Sequence, residues 1–364
     1  MQYPPQPFCG KCLHEKLYWQ ELPGGATLLS ETQLTHSNDL YFRERLPCRV
    51  GTLKLDAGPA VIALLTDRLR GPEARARVSL RLNRAGQALL IAQPEAEEDM
   101  DPQDKLLKEL SCDPRSRKVL VADGKTVVGQ ALVRAFSDAG AETIWVGYAD
   151  PWKKLPGLDA LAQVRGVKLV PLDITDSRSV NALGAQIGAK VDIVVNNAEV
   201  HHADSVLGRR GTEHARMEMD VNYLGLLRLS QAFAPALKAR AVDGPDHAVA
   251  WVNLLSIFAL SSFPGHGTFS ASKAAALSLA QSLRADMLPS GIRVLNVFPG
   301  PVDDEWNQNV EPPKLAPRAL ASAVVKALLA GVEDVYPGEV AQEWWARWRD
   351  NPKALERELA RGEI

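Results

Sequence analysis

Cysteine is scarce: four in 364 residues are too few for a disulfide framework, so Cys9, Cys12, Cys48 and Cys112 are expected as thiols in a reducing compartment. Long apolar runs are missing too. No stretch approaches the roughly eighteen residues that cross a bilayer, and the opening MQYPPQPFCG carries neither the basic nor the apolar block of a signal peptide. A cytoplasmic protein with no membrane partner is expected. Neither sign of charge is in excess: 42 Lys and Arg stand against 44 Asp and Glu, a formal net charge of −2, which argues against a nucleic-acid partner. There are no internal repeats. What remains is enough chain for one full core and a smaller second one.

The texture changes near residues 95–116, where charge and proline dominate, and this segment reads as a linker with at most one helical turn. Before it, over 1–94, β-like runs at Ala26–Thr35, Cys48–Leu55, Ala60–Thr66, Arg77–Leu82 and Ala88–Ala92 are separated by turns such as DAGP and NRAG. That is a small all-β domain. After it, over 117–364, KVLVAD, TIWVGY, VKLVPLD, VDIVVNN, AVAWVNLLS and IRVLNVF alternate with helical patterns. Strands too continuously apolar to have a wet face predict an α/β fold, a Rossmann-like doubly wound parallel sheet.

Six features of 117–364 occur in one order: DIT at Asp173 to Thr175, NNA at Asn196 to Ala198, Asn222, Ser256, Lys273, and Pro299-Gly300. Together they resemble the short-chain dehydrogenase/reductase family. The resemblance implies hydride transfer between a nicotinamide and a carbonyl carbon. Serine would bond the carbonyl oxygen, a tyrosine would supply the proton, lysine would lower that tyrosine's pKa and bind ribose, and asparagine would hold a relay water. Asp173, Ile174, Asn197, Ala198, Pro299 and Gly300 would then contact cofactor.

The family's tyrosine position, thirteen residues after Ser256 and four before Lys273, holds Phe269, whose ring neither donates nor accepts a proton. The glycine-rich turn is also altered. Aligning its last glycine with Gly129 puts Asp123 and Val127 where glycines would let a pyrophosphate approach, whereas a shifted alignment takes Gly124 as the first glycine. Glu199 replaces the glycine after Asn-Asn-Ala, and Asp304 stands where a threonine would bond the carboxamide. Three of these five changes are acids, and like charges near phosphates are unfavourable. Asp150 suggests a ribose diol and Lys153 a phosphate, leaving NAD against NADP open. Ser256 and Lys273 persist either as polar pocket residues or with a residual role, and Asn222 reads as a bridge from helix to sheet. His201, His202 and His214 lack a matched acid or cysteine cluster, so no metal is expected there. His266 reads as a loop residue lining the substrate cleft.

Residues 3–94, with PPQPFCGKC, Trp19, PGGATLLSETQLTH and VGTLKLDAGP, resemble DUF35-type zinc-ribbon and OB-fold proteins, which accompany thiolase-like enzymes and bind acyl-CoA. A structural zinc needs four ligands, and only the Cys9-x-x-Cys12 knuckle is present, so two free thiols and no zinc are expected. The barrel lacks the basic and aromatic surface that nucleic acid requires.

Two functional readings follow. In the first, the chain is a catalytically impaired subunit that binds no dinucleotide and supports an acyl-CoA-processing partner. That partner would be a thiolase-like enzyme, an active paralogue or a second copy, paired through the long helices near Thr212–Ala239 and Thr268–Met287. In the second, it is an NAD(P)-dependent oxidoreductase acting on a 3-oxo or 3-hydroxyacyl-CoA through Ser256, Lys273 and water. A third use, as a sensor of another ligand, has no motif behind it.

Overall fold

Alternation at period two builds the first core. In the computed structural model, which describes residues 6–18, 20–43, 45–96, 104–150, 156–208, 210–242, 250–308 and 310–362, the chain divides into units 1–111 and 112–364. Trp19 and Lys153 lie outside the described residues. In the first unit come β1 (Gly25–Leu34), α1 (Leu40–Arg43), β2 (Cys48–Leu55), β3 (Ala60–Leu65), β4 (Arg75–Leu82), β5 (Ala88–Pro94) and α2 (Lys105–Leu110). The five strands close a barrel in the order β1-β2-β3-β5-β4, with β3 and β5 parallel and the other pairs antiparallel. Ala26, Leu28, Leu53, Val61, Ala63, Leu65 and Ala92 fill it, while Ile62 and Leu80 face out. Gly51 is small because a Cβ there would press into the Leu28 and Leu65 side chains crossing the interior.

Within the segment read as a linker, residues 105–110 form α2. Asp104 caps it by accepting the Leu106 and Leu107 N–H groups, and Leu107 and Leu110 are buried against Leu64 and Ile91. Burying each leucine contributes about 2 kcal/mol, so this stretch belongs to the barrel's outer layer.

The second unit is a seven-stranded parallel sheet in the order β12-β11-β10-β9-β6-β7-β8. Its elements are β6 (Lys118–Val121), α3 (Val127–Asp138), β7 (Thr143–Tyr148), α4 (Pro156–Ala162), β8 (Val167–Pro171), α5 (Ser177–Ile187), β9 (Ile193–Asn196), α6 (Glu213–Glu218), α7 (Gly225–Val242), β10 (Ala250–Leu254), α8 (Gly267–Met287), β11 (Arg293–Val297), α9 (Pro317–Ala330), β12 (Asp334–Val335), α10 (Glu339–Asp350) and α11 (Pro352–Arg361). Side chains leave the strands alternately for two covered faces. Val119, Val121, Ile193, Val195 and Val252 pack toward α3, α4 and α9; Leu120, Val194, Trp251 and Val294 pack toward α5, α7 and α8. Both faces being dry, the strands read as unbroken apolar runs.

The strand order reverses between β6 and β9. Ligands of such sheets bind in the crevice beyond the carboxyl ends at this switch point. Asp123, Asn197, Ser256 and Pro299 follow the ends of β6, β9, β10 and β11 respectively.

Candidate functional site

The turn from β6 into α3 is held by a side chain from β9's end. Asp123 N–H donates to Asn197 Oδ1 at 3.0 Å, and Asn197 Nδ2 donates to the Asp123 carbonyl at 2.6 Å. The Asp123 carboxylate folds into its own turn, accepting the Lys125 N–H at 2.8 Å, rather than standing free where phosphates would lie. Burial pushes this carboxyl up; Lys125 opposes that shift and Glu305 adds to it. Thr126 caps α3 by accepting the Gly129 N–H at 3.0 Å. Gly129 is required by the fold, because a Cβ there would collide with the Asp123 carbonyl.

A Cβ on Gly124 would collide with Val146 of β7 and crowd Leu158, so packing alone already requires its smallness. Val127 is the first residue of α3 and 44% exposed, so a branched side chain meets no obstacle. Its N–H points to Glu305 Oε2 at 3.5 Å. Asp173 Oδ1 accepts from Thr175 N at 2.9 Å and Thr175 Oγ1 at 2.7 Å, while Ile174 packs in the core beside Gly225. Ala198 is also a core residue.

On the side of α8, Lys273 is 2% exposed and held by two partners. Its Nζ donates to the Leu254 carbonyl at 3.1 Å and pairs with Glu199 Oε2 at 2.6 Å. Ser256, just after β10, accepts the Phe258 N–H at 3.2 Å. Phe269, on the first turn of α8, is stacked on the His201 ring with centroids 3.7 Å apart, and Lys273 Nζ lies 5.4 Å from its centroid. His201 Nε2 and His266 Nδ1 are 2.6 Å apart, so one proton lies between them. Burial pulls His201 down to about 3, helped by His266 and Lys273, and burial lowers His266 as well. Both rings are neutral at physiological pH. His266 is itself buried in an aromatic cluster with Phe258 and Phe263, which corrects the expectation that it lines the cleft.

Asn222 lies in a π-helical segment, Met219–Leu224, between α6 and α7. Its Oδ1 accepts the Val200 N–H at 3.0 Å, and its Nδ2 donates to the Val200 carbonyl at 2.9 Å and to Ser272 Oγ at 2.8 Å. All its polar atoms are spent on structure. His202 Nδ1 lies 3.3 Å from Glu218 Oε1 and His214 Nδ1 lies 2.5 Å from Asp204 Oδ2, the two rings stacked 3.6 Å apart. Among the described residues no three His, Cys, Asp or Glu side chains are grouped to hold a metal. Cys9 and Cys12 are free, and the Lys11 backbone N–H lowers the Cys9 thiol.

Of the expected residues, Asn197, Glu199, Ser256, Phe269, Pro299, Gly300 and Asp304 line one cavity; Asp123, Gly124, Val127, Gly129, Asp173, Ile174, Ala198, Asn222 and Lys273 do not. Asp304 is buried, and its Oδ1 accepts the Trp306 N–H at 3.0 Å and the Asn307 N–H at 3.1 Å, so it organises its own turn. Burial raises its carboxyl, and Glu199 adds to that. The cavity measures about 50 Å³, room for one or two waters. His201, Phe258, Trp306 and Asn307 also line it and were not anticipated. Only the HH pair at 201–202 offered a signal; the others are brought in by folding.

The fold and these motifs have counterparts. Residues 117–314 match the short chain dehydrogenase family. A short chain dehydrogenase from Burkholderia cenocepacia, solved in complex with NADP, is 34% identical with a TM-score of 0.61, over 68% of this chain and 98% of that one. A short-chain dehydrogenase of Penicillium ochrochloron is 31% identical over 180 residues, 48% of this chain and 61% of that protein, so the match spans about three fifths of its length. An uncharacterized oxidoreductase of Staphylococcus aureus is 28% identical over 218 residues, 58% of this chain and 90% of that protein.

Proposed function

This chain belongs to the short chain dehydrogenase family, and within it we propose a catalytically impaired member whose Rossmann unit acts as a subunit rather than as a dinucleotide enzyme. The pairing of Lys273 with Glu199 at 2.6 Å carries this reading. A lysine neutralised by a carboxylate and spent on a backbone carbonyl offers no free charge to a ribose or to a neighbouring acid. Phe269 supplies no proton in any case. The residues present fit a nicotinamide dinucleotide poorly: the cavity of about 50 Å³ is far below the several hundred Å³ of a ligand pocket, and Glu199 and Asp304 both face it.

The barrel supports the rest of the proposal. Its order, with β3 and β5 parallel, fits an OB-type fold, which we assign to binding or presenting an acyl-CoA. The partner is a thiolase-like enzyme, an active paralogue, or a second copy meeting α7 and α8. No helix of the described residues is long and apolar enough to cross a membrane. A cytoplasmic location is part of the proposal and draws on the scarcity of cysteine.

A second reading, an oxidoreductase with an altered relay, draws on one observation: Ser256 and His201 line the same cavity. Calorimetric titration with NADH and NADPH separates the two. The expected result is no binding up to millimolar cofactor, and no turnover of an acyl-CoA after Phe269→Tyr alone. Micromolar binding, or turnover created by that one change, would overturn the first reading.

A further inference from the structure

The loop between β11 and α9 is built as a closed unit. Leu315 N–H donates to the Pro301 carbonyl at 2.8 Å and Asp303 N–H to the Leu315 carbonyl at 2.9 Å, so its two ends are pinned together. Inside it, Gln308 Nε2 donates to the Asp304 carbonyl at 2.5 Å, and Lys314 Nζ donates to the Asn307 carbonyl at 3.2 Å and lies 3.5 Å from Asp303. Asp304 Oδ1 accepts three hydrogen bonds, from the Trp306 N–H, the Asn307 N–H and Asn307 Nδ2, which close one turn. The turn is therefore held in shape by its own bonds.

This turn reaches into the cleft at two points. Trp306 and Asn307 line the cavity shared with Ser256, and the Trp306 indole N–H is buried with no hydrogen-bond partner. Glu305 stands at the amino end of α3, with Oε2 3.5 Å from the Val127 N–H. The same carboxylate raises the neighbouring Asp123 carboxyl, a second sign of its nearness to the glycine-turn region. A twelve-residue helix carries partial positive charge at this end, where dinucleotide-binding folds seat a pyrophosphate; here Thr126 takes the Gly129 N–H and Glu305 faces the Val127 N–H.

We infer that the 302–307 turn is an internal occupant of the dinucleotide cleft, with the Glu305 carboxylate as the anion at the α3 amino terminus. The inference rests on the reading that this cleft does not take a dinucleotide, and it supplies a cause beyond Phe269 and Glu199. The seat for phosphate is kept, and the chain's own carboxylate fills it. An incoming diphosphate meets a negative charge and must displace it.

The test is titration of the full chain with inorganic pyrophosphate at low ionic strength, comparing wild type with Glu305→Ala and Glu305→Gln. Glu305 is exposed, so both variants are expected to fold, with a Tm lowered only slightly by the loss of the carboxylate at the α3 amino terminus. Both should bind pyrophosphate about fivefold more tightly than wild type, as expected for freeing a helix amino terminus and removing a like charge. Equal affinity in all three proteins, absent binding included, would overturn the inference. Wild-type binding of NADPH at micromolar strength would instead remove the functional reading, while a Glu305-dependent pyrophosphate response would stand apart from it.

Discussion

The sheet of the second unit and the cleft at its carboxyl edge have been held to different standards. Across the sheet the central strands β9, β10 and β11 are buried at every position, and exposure is confined to the edges, as at Lys168 and Pro171 of β8 and Asp334 of β12. In the cleft the charged groups are met by the chain itself: Lys273 by Glu199, Glu305 by the Val127 N–H of α3, Asp304 by N–H groups of its own turn. The glycine-rich turn shows the contrast within a few residues. Gly129 remains where a Cβ would strike the Asp123 carbonyl, and Val127 has appeared where the side chain points into open space. Gly129 is required by the fold whatever the cleft holds, and on the proposed reading Val127 stands where only a ligand would ask for a glycine.

Substitutions at these two positions test that contrast most strongly. Gly129→Val is expected to destabilise the unit by about 3 kcal/mol or more, because backbone must move to admit the side chain. Val127→Gly should cost about 1 kcal/mol or less, in line with helix propensity at an exposed first-turn position. Denaturant unfolding of both variants measures the gap, and similar losses would break the comparison.

Next in size is the buried ion pair. Glu199→Gln strands Lys273 beneath Phe269 and is expected to cost about 3 kcal/mol, whereas Glu199→Gln with Lys273→Met should recover most of that loss. A double variant as unstable as the single one would mean that packing and not charge governs the site.

The smallest effect is a pH slope. His201 falls to about 3 in the folded protein from an ordinary value of 6.5, so between those values the unfolded chain binds a proton that the folded chain does not. Stability therefore falls as pH drops from 6.5, by up to about 1.4 kcal/mol per pH unit for this group. Asp123 and Asp304, raised by burial, act in the opposite sense at lower pH. His201→Phe should flatten the decline in Tm between pH 6.5 and 5; an unchanged slope would assign the acid sensitivity to other groups.

Much of the framework was legible in the sequence because it is local. Continuous apolar runs marked β6 to β11, and the ends of the five barrel strands were mostly placed within two residues. β12, only two residues long, has no period to read. The site was legible as identities and not as contacts. Asp123 and Asp304 were expected to project toward a cofactor, yet each finds N–H groups in its own turn, since a short acidic side chain caps nearby backbone. Glu305 drew no notice because its contact with Val127 spans 178 residues of sequence. His201 and His266 meet across 65 residues for the same reason. Local pattern cannot say which loops face each other across a cleft.

The Lys273–Glu199 pair also constrains how this chain can change. Replacing Glu199 by a smaller neutral residue first leaves a buried ammonium without its counter-charge; installing a tyrosine first leaves its neighbouring lysine still committed elsewhere. Neither order offers a gain at the first step. On the reading proposed above the pair works as a ratchet, and gaining hydride chemistry would take at least two changes made together.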